Sequence, residues 1–296
     1  MDYFEQVEKL SRDLQKSSTS LDKQEMRYIV DLYYTVQKSR IRAGQKMDKL
    51  IEFKKPHLLI ESFWGNFTCI EEQIKATLEV YTNSTHMGQW ARSIPGVGPI
   101  LAAALEAYID IEKAKTAGSI WRFAGLDPTS KWKKGQKRPW NANLKITCWK
   151  IGQSFVKVSN QENDIYGKMY KYRKALELEK NARGEYAEQA EYIVRTYKKD
   201  TEAYKAALDG KLSLGHINNR AQRWATKMFL AHWHYEAYTE HYCEKPPTCY
   251  AVEHLGHAHE INNPEEARQW LKSHKPHLLL ETKKRKPKNK KKPLAA

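Results

Sequence analysis

The sequence predicts a mainly α-helical protein with long N-terminal helices or a coiled-coil arm, a domain containing a helix-hairpin-helix, and a disordered basic C-terminal tail. Three observations carry this expectation. Apolar residues recur at helical spacing through most of the chain. Helix breakers are few, with 14 Gly and 11 Pro in 296 residues, below the roughly 12% of average usage. Residues 2–82 contain no alternating apolar–polar segment of the kind a half-buried strand requires.

The segments follow in order. In residues 1–83, a helical arm or linker, Val7, Leu10 and Leu14 mark one apolar stripe, and Met26, Ile29, Val30, Tyr33 and Val36 mark a second. Ser17–Ser20 separates the two stripes. Leu50–Ile60 and Phe63–Val80 continue the pattern across a break at Lys55-Pro56. Charged flanks suit antiparallel helices or a coiled coil, so residues 2–82 fit a partner helix or a second copy of the chain as well as a self-packed bundle. Residues 84–160 read as a compact helical domain in which Leu144, Cys148, Ile151 and Phe155 form a core stripe. Residues 161–260 form a helical extension rich in Tyr, Lys and Glu, broken at Gly210–Gly215. An amphipathic helix over about Ile217–Tyr242 follows and ends before Pro246-Pro247. On that helix Trp224, Met228, Ala231, Tyr235 and Tyr238 are expected to face the core. Residues 261–296 contribute a short helix near Pro264–Ser273 and the tail.

Charge narrows the function classes. The formal net charge is +16, which calls for a polyanionic partner. Eight basic residues and no acid lie between Lys283 and Lys292; such a run reads as a phosphate-seeking arm or a solubilising extension. A second cluster, Lys131, Lys133, Lys134, Lys137 and Arg138, surrounds Trp132 and lies beside Trp140, again without an acid. Basic side chains neutralise phosphates and exposed indoles stack on unpaired bases, although the tryptophans of such a loop also serve by folding back onto the core. The longest apolar run, Ile100–Leu105, is six residues, far short of the ~18 of a membrane span. The acidic N-terminus lacks a signal-peptide pattern, and four cysteines are no disulfide framework. A cytoplasmic, nucleoid-associated protein without a cofactor is therefore expected, with DNA as the first candidate partner, structured RNA as the second, and no membrane.

The sharpest local motif is Ser93-Ile94-Pro95-Gly96-Val97-Gly98-Pro99, followed by Ala102-Ala103-Ala104-Leu105. It has the form of a helix-hairpin-helix: a helix from about Thr85 to Ile94, a Gly-Val-Gly turn, and a second helix opening at Pro99, where proline is favoured. Glycines at 96 and 98 suit a positive φ and a close approach of backbone to ligand, Val97 suits the interhelix core, and the second helix's first amides make an anion site. Pro95, Gly96, Val97 and Gly98 are accordingly candidate contacts to nucleic-acid backbone, which carries no sequence information.

These residues, with Ile109-Asp110, Phe123-Ala124-Gly125-Leu126-Asp127-Pro128 and the basic loop after them, resemble the C-terminal domain of the Piv/MooV-type insertion-sequence transposases, the insertion-sequence 110/116/902 family. The resemblance covers about residues 90–160 and extends more loosely to the helix beginning Gly215-His216-Ile217. It implies DNA recombination and RNA-associated DNA recognition. Full-length members carry an N-terminal RuvC-like domain with four acidic metal ligands; residues 1–90 show no strands ending in carboxylates. The family also uses a serine beside a glycine in the loop after Gly-Leu-x-Pro. Here Lys134 precedes Gly135, and the nearest hydroxyls are Thr129 and Ser130, which makes Ser130 the candidate nucleophile.

Two further constellations stand out. Arg220, Arg223 and Lys227 fall on one face of the amphipathic helix, extended by His216 and His234, and suit phosphates or an ordinary solvated surface. Cys243, Cys249, His254 and His257 are ligand-type residues, but Cys243-x5-Cys249 is looser than the usual zinc spacing, so packing or surface roles compete with a metal site. Three functions remain open: a DNA-binding protein accessory to or derived from a mobile element, an active transposase whose RuvC-like half comes from another chain, and a helical structural or partner-binding protein.

Overall fold

In a computed structural model of the chain, residues 9–53, 57–247 and 263–274 are described. Among them are twelve α-helices and no strand. No helix of these residues is long and apolar enough to cross a membrane.

The centre of the fold is α5 (Pro99–Tyr108), whose sequence is apolar all round except for Glu106. A helix without a polar face must be surrounded. Four helices do so: α2 (Lys23–Phe53), α3 (Leu58–Ser84), α4 (His86–Ser93) and α7 (Ala142–Val158). Ala102, Ala103, Ala104 and Leu105 lose all their exposed surface, and the small side chains let the neighbouring backbones come close. At the C-terminal end of α5 the Arg27 guanidinium donates twice to the Ala107 carbonyl, at 2.8 and 3.2 Å, a cation at the negative pole of the helix.

The stripe Met26, Val30, Tyr33 and Val36 is buried on α2 as its spacing predicts, with Ile29 packed at its edge. Before it come α1 (Arg12–Lys16) and a 3₁₀ turn at Ser17–Ser20. Leu14, expected in a stripe, is exposed: α1 is a single short turn of five residues that buries none of its side chains. α2 and α3 run antiparallel and are joined by a buried polar knot. Glu71 accepts from Tyr33 Oη at 3.1 Å and Gln37 Nε2 at 3.0 Å, and pairs with Arg40. Beyond this knot Phe53, Leu58, Leu59 and Phe63 are exposed.

The second half is built around α11 (Leu214–Tyr242), which packs against α6 (Ala117–Phe123), α7 and α8 (Tyr166–Ala182). Phe155, Tyr166 and Phe229 meet with ring centroids 4.9–5.4 Å apart, tying α7, α8 and α11 together. The buried face of α11 is Ala221, Ala225, Phe229, Leu230, Trp233 and Ala237. The expected face, Trp224, Met228, Ala231, Tyr235 and Tyr238, is only half-buried. Trp224 follows Arg220 by four positions and so lies beside the basic stripe, not opposite it. The true contact face is marked by alanines, which carry little hydrophobic weight in a sequence but allow close helix packing. Helices α9 (Ala187–Thr196) and α10 (Glu202–Leu208) form a small lobe over Ile193, Leu212 and Ile217, and α12 (Pro264–His274) buries Ala267 and Leu271 in the main core.

Two carboxyls are destabilised as anions by their burial. Glu106, on α5, is pushed up to about 7 by burial, against the Thr85 hydroxyl that donates to it at 3.1 Å. Asp164 is likewise pushed up to about 7 by burial; its Oδ1 accepts from the Gly167 amide, while Oδ2 has no partner among the described residues. Both bind protons more tightly folded than unfolded, so their contribution to stability is complete below the ordinary carboxylate range and is lost as pH rises to about 7. Urea denaturation midpoints should therefore fall between mildly acidic and mildly alkaline pH. The double variant Glu106→Gln, Asp164→Asn should show a flatter dependence and a higher midpoint than the parent on the alkaline side.

Candidate nucleic-acid interface

The α4–α5 corner is built from the motif around Pro95. Thr85 caps α4 by accepting from the Gly88 amide at 3.0 Å. Ile94 and Val97 turn into the core. Gly96 holds φ +92°, and its carbonyl accepts from Ser154 Oγ on α7 at 2.6 Å. Gly98 is different: its φ is −89°, and a side chain there would meet nothing within 4 Å. Only Gly96 needs glycine's backbone freedom. Gly98 leaves open space in front of α5, where Pro99 stands at the first helical position and brings no N–H; the Leu101 and Ala102 amides both donate to the Gly98 carbonyl, at 3.1 and 3.0 Å.

The basic loop is anchored by the end of α6. The Leu126 amide donates to Trp121 O at 2.8 Å and the Gly125 amide to Arg122 O at 3.0 Å, the bonding pattern of a Schellman cap with Gly125 at φ +64°. A β-carbon at Gly125 would lie 2.8 Å from the Trp140 ring, so the glycine both reverses the chain and seats the indole. In the loop itself Trp132 Nε1 donates to Gln136 O at 2.7 Å. The Trp132 and Trp140 rings meet edge-on at 6.5 Å, with Arg138 over the first and Lys145 over the second, 5.3 and 4.1 Å from the ring centroids. The tryptophans thus hold the loop together, and Lys131, Lys133, Lys134 and Lys137 are left exposed.

Between loop and corner lies α7, capped by the Asn141 side chain, which accepts from the Leu144 amide at 2.9 Å. Its buried face is the expected Leu144, Cys148, Ile151 and Phe155. Its open face carries Lys145, Lys150 and Lys157 and no acid anywhere in the helix. On one flank, Lys150 lies over the Tyr34 ring at 3.4 Å and borders a groove of about 860 Å³ shared with Lys38 and Arg42 of α2. On the other flank, a cleft of about 280 Å³ separates α7 from α11 and is lined by Lys145, Trp149, His216 and Arg223 among others. Burial, and then the charges of Arg223 and Arg138, hold the Lys145 ammonium below the ordinary lysine range. The corner at Gly96 packs on the side of α7 that carries Ser154. Position 145 is nine residues away and points to the opposite side, so the corner and the cleft border α7 from different flanks.

The α11 stripe is divided. Arg223 donates from Nε to Asn219 O at 3.2 Å and lines the cleft. Lys227 lies over the Trp121 ring at 4.9 Å. Arg220 is turned away to Glu177, which is buried and bound at 2.7 Å by Arg220 and 2.6 Å by Arg173. His234, expected to extend the stripe, is buried instead and meets the Ala114 carbonyl at 2.7 Å through Nε2; burial lowers its basicity. It sits there because α4, α6, α7 and α8 all pack on α11 and leave little of that helix open.

The Ser130 hydroxyl has no hydrogen-bond partner among the described residues, whereas Thr129 Oγ1 donates to Asp127 at 2.8 Å. Cys243 ends α11 with φ 56° and is exposed. Cys249, His254, His257 and the tail Lys283–Lys292 lie outside the described residues. Among those described, no group of three or more His, Cys, Asp or Glu residues could hold a metal ion. Lys38, Arg42, Lys145 and Lys150 were not singled out from the sequence. The legible signal for the last two was the absence of acid over 142–158; for Lys38 and Arg42 there was none, since only the fold brings α2 beside α7.

Helices α4 to α7 form a transposase-like region. Residues 88–153 match the transposase IS116/IS110/IS902 family. No curated protein and no solved structure matches the chain. Replacing Gly125 by Ala should lower stability by about 1–3 kcal/mol for the left-handed conformation alone, read by urea denaturation, and the displaced Trp140 should shift the tryptophan emission.

Proposed function

We propose that this chain is a DNA-binding protein accessory to, or derived from, a mobile element, and that it holds nucleic-acid backbone across the open face of α7. The family match over residues 88–153 ties it to mobile elements. The observation that carries the binding reading is that α7, which begins inside the matched region, has three lysines and no acid, Lys145 on one flank of its open face and Lys150 and Lys157 on the other, continued by the exposed lysines of the 131–138 loop. Separated cations on a helix without carboxylates suit a run of phosphates, whose neutralisation releases counterions. The open space before α5 at Gly98 suits one further phosphate on the helix-hairpin-helix, and Arg223 adds a cation across the cleft from Lys145. The Lys283–Lys292 tail would add affinity that is blind to sequence.

Affinity for a duplex DNA should fall steeply as salt rises. Lys145→Ala with Lys150→Ala should weaken all sequences alike and flatten the log–log salt slope by about 1 for each phosphate no longer neutralised. Fluorescence anisotropy across a salt series checks this, and no binding of DNA or RNA at low salt would sink the reading. A covalent DNA adduct abolished by Ser130→Ala would instead identify a recombinase.

The exposed Phe53, Leu58, Leu59 and Phe63 at the end of the α2–α3 hairpin favour a second, compatible role: docking of a partner helix or another copy of the chain. Solution mass measured over a concentration range is expected to exceed that of a monomer, with Phe53→Ser and Phe63→Ser restoring the monomer.

A further inference from the structure

We infer that the cleft between α7 and α11 receives one unpaired nucleotide, its base against the Trp149 indole and its phosphate on Arg223 and Lys145. This rests on the DNA-binding reading above and specifies the form of strand that one part of the surface takes. Trp149 is 59% exposed, on a helix whose other large apolar residues, apart from Ile146, are buried or half-buried. It is one of the residues that line the cleft. Opposite stand three uncharged polar side chains of α11: Asn219, Gln222 and Thr226. Gln222 Oε1 accepts from Gln153 Nε2 at 2.8 Å, which holds that amide in one orientation.

Amide side chains read base edges, and flat aromatic rings stack on bases that have left a duplex. Leu126 and Cys148 supply an apolar floor, and no Asp or Glu is among the lining residues. The volume of about 280 Å³ lies just below the usual range of ligand pockets, roughly 300–1,000 Å³: it suits a single base with its phosphate at the rim, and not a base pair. A paired base cannot reach such a cleft without leaving its stack. A nucleotide within a strand, not a free one, is indicated because positive charge continues on both sides, through Arg138 and the 131–137 lysines one way and Lys150 the other.

The test uses the full chain and three probes: a paired DNA duplex, the same duplex with a single 2-aminopurine bulge, and its RNA counterpart. The bulged DNA or the bulged RNA should bind about ten- to a hundredfold more tightly than its paired form, with quenched 2-aminopurine emission. Trp149→Ala should abolish that preference and the quenching while lowering paired-duplex affinity far less than bulged-duplex affinity, and Trp149→Phe should restore part of both. Since Trp149 is exposed, its removal leaves the core intact. Equal affinity for paired and bulged probes, or an equal effect of Trp149→Ala on both, overturns the cleft assignment while backbone binding stands. No binding to any probe at low salt overturns the DNA-binding reading instead.

Discussion

The burial of α5 is the constraint on which the rest of the structure depends. Ten residues that present almost no polar surface cannot remain at an edge, so α2, α3, α4 and α7 are drawn around them. Hydrophobic burial supplies the drive, and alanine at three consecutive positions sets the spacing: side chains this small let neighbouring helices approach until their backbones limit the approach. The same burial forces Glu106 inside, where its ionised form is disfavoured.

From that arrangement the character of α7 follows. One side is pressed onto α5 and the aromatic cluster of Phe155, Tyr166 and Phe229, which leaves the other side to water. That side carries only cations and uncharged residues. The Schellman cap at Gly125 and the paired indoles of Trp132 and Trp140 then bring the basic loop back over the start of α7. Positive charges that are scattered in the chain thereby become neighbours, and their mutual repulsion adds to burial in lowering the basicity of Lys145.

Ion pairing divides the cations into two groups. Arg220, Arg173 and Arg40 are committed to the buried carboxylates of Glu177 and Glu71, where breaking one partner would strand a charge. Lys131, Lys133, Lys134 and Lys137 stand exposed in a loop whose neighbouring carboxylate, Asp127, is occupied by the Thr129 amide and hydroxyl. A stripe such as Arg220–Arg223–Lys227 looks uniform by spacing, yet of the three it is Arg223 that opens into the cleft.

The sequence by itself determined the helical class, the burial of Met26, Val30 and Tyr33, the core stripe on α7, the turn at Gly96–Pro99 and the transposase-like region. Each is local: a period, a capping residue or a glycine that one turn demands. The tertiary structure alone decided which face of α11 is buried, where His234 goes, which arginines are neutralised, and that Lys38 and Arg223 border the helix that carries Trp149 and Lys150. Those outcomes depend on contacts between residues far apart in the chain. Hydrophobic weight misjudges them because the closest helix contacts are made by alanine, and charge counting misjudges them because pairing depends on distance in space.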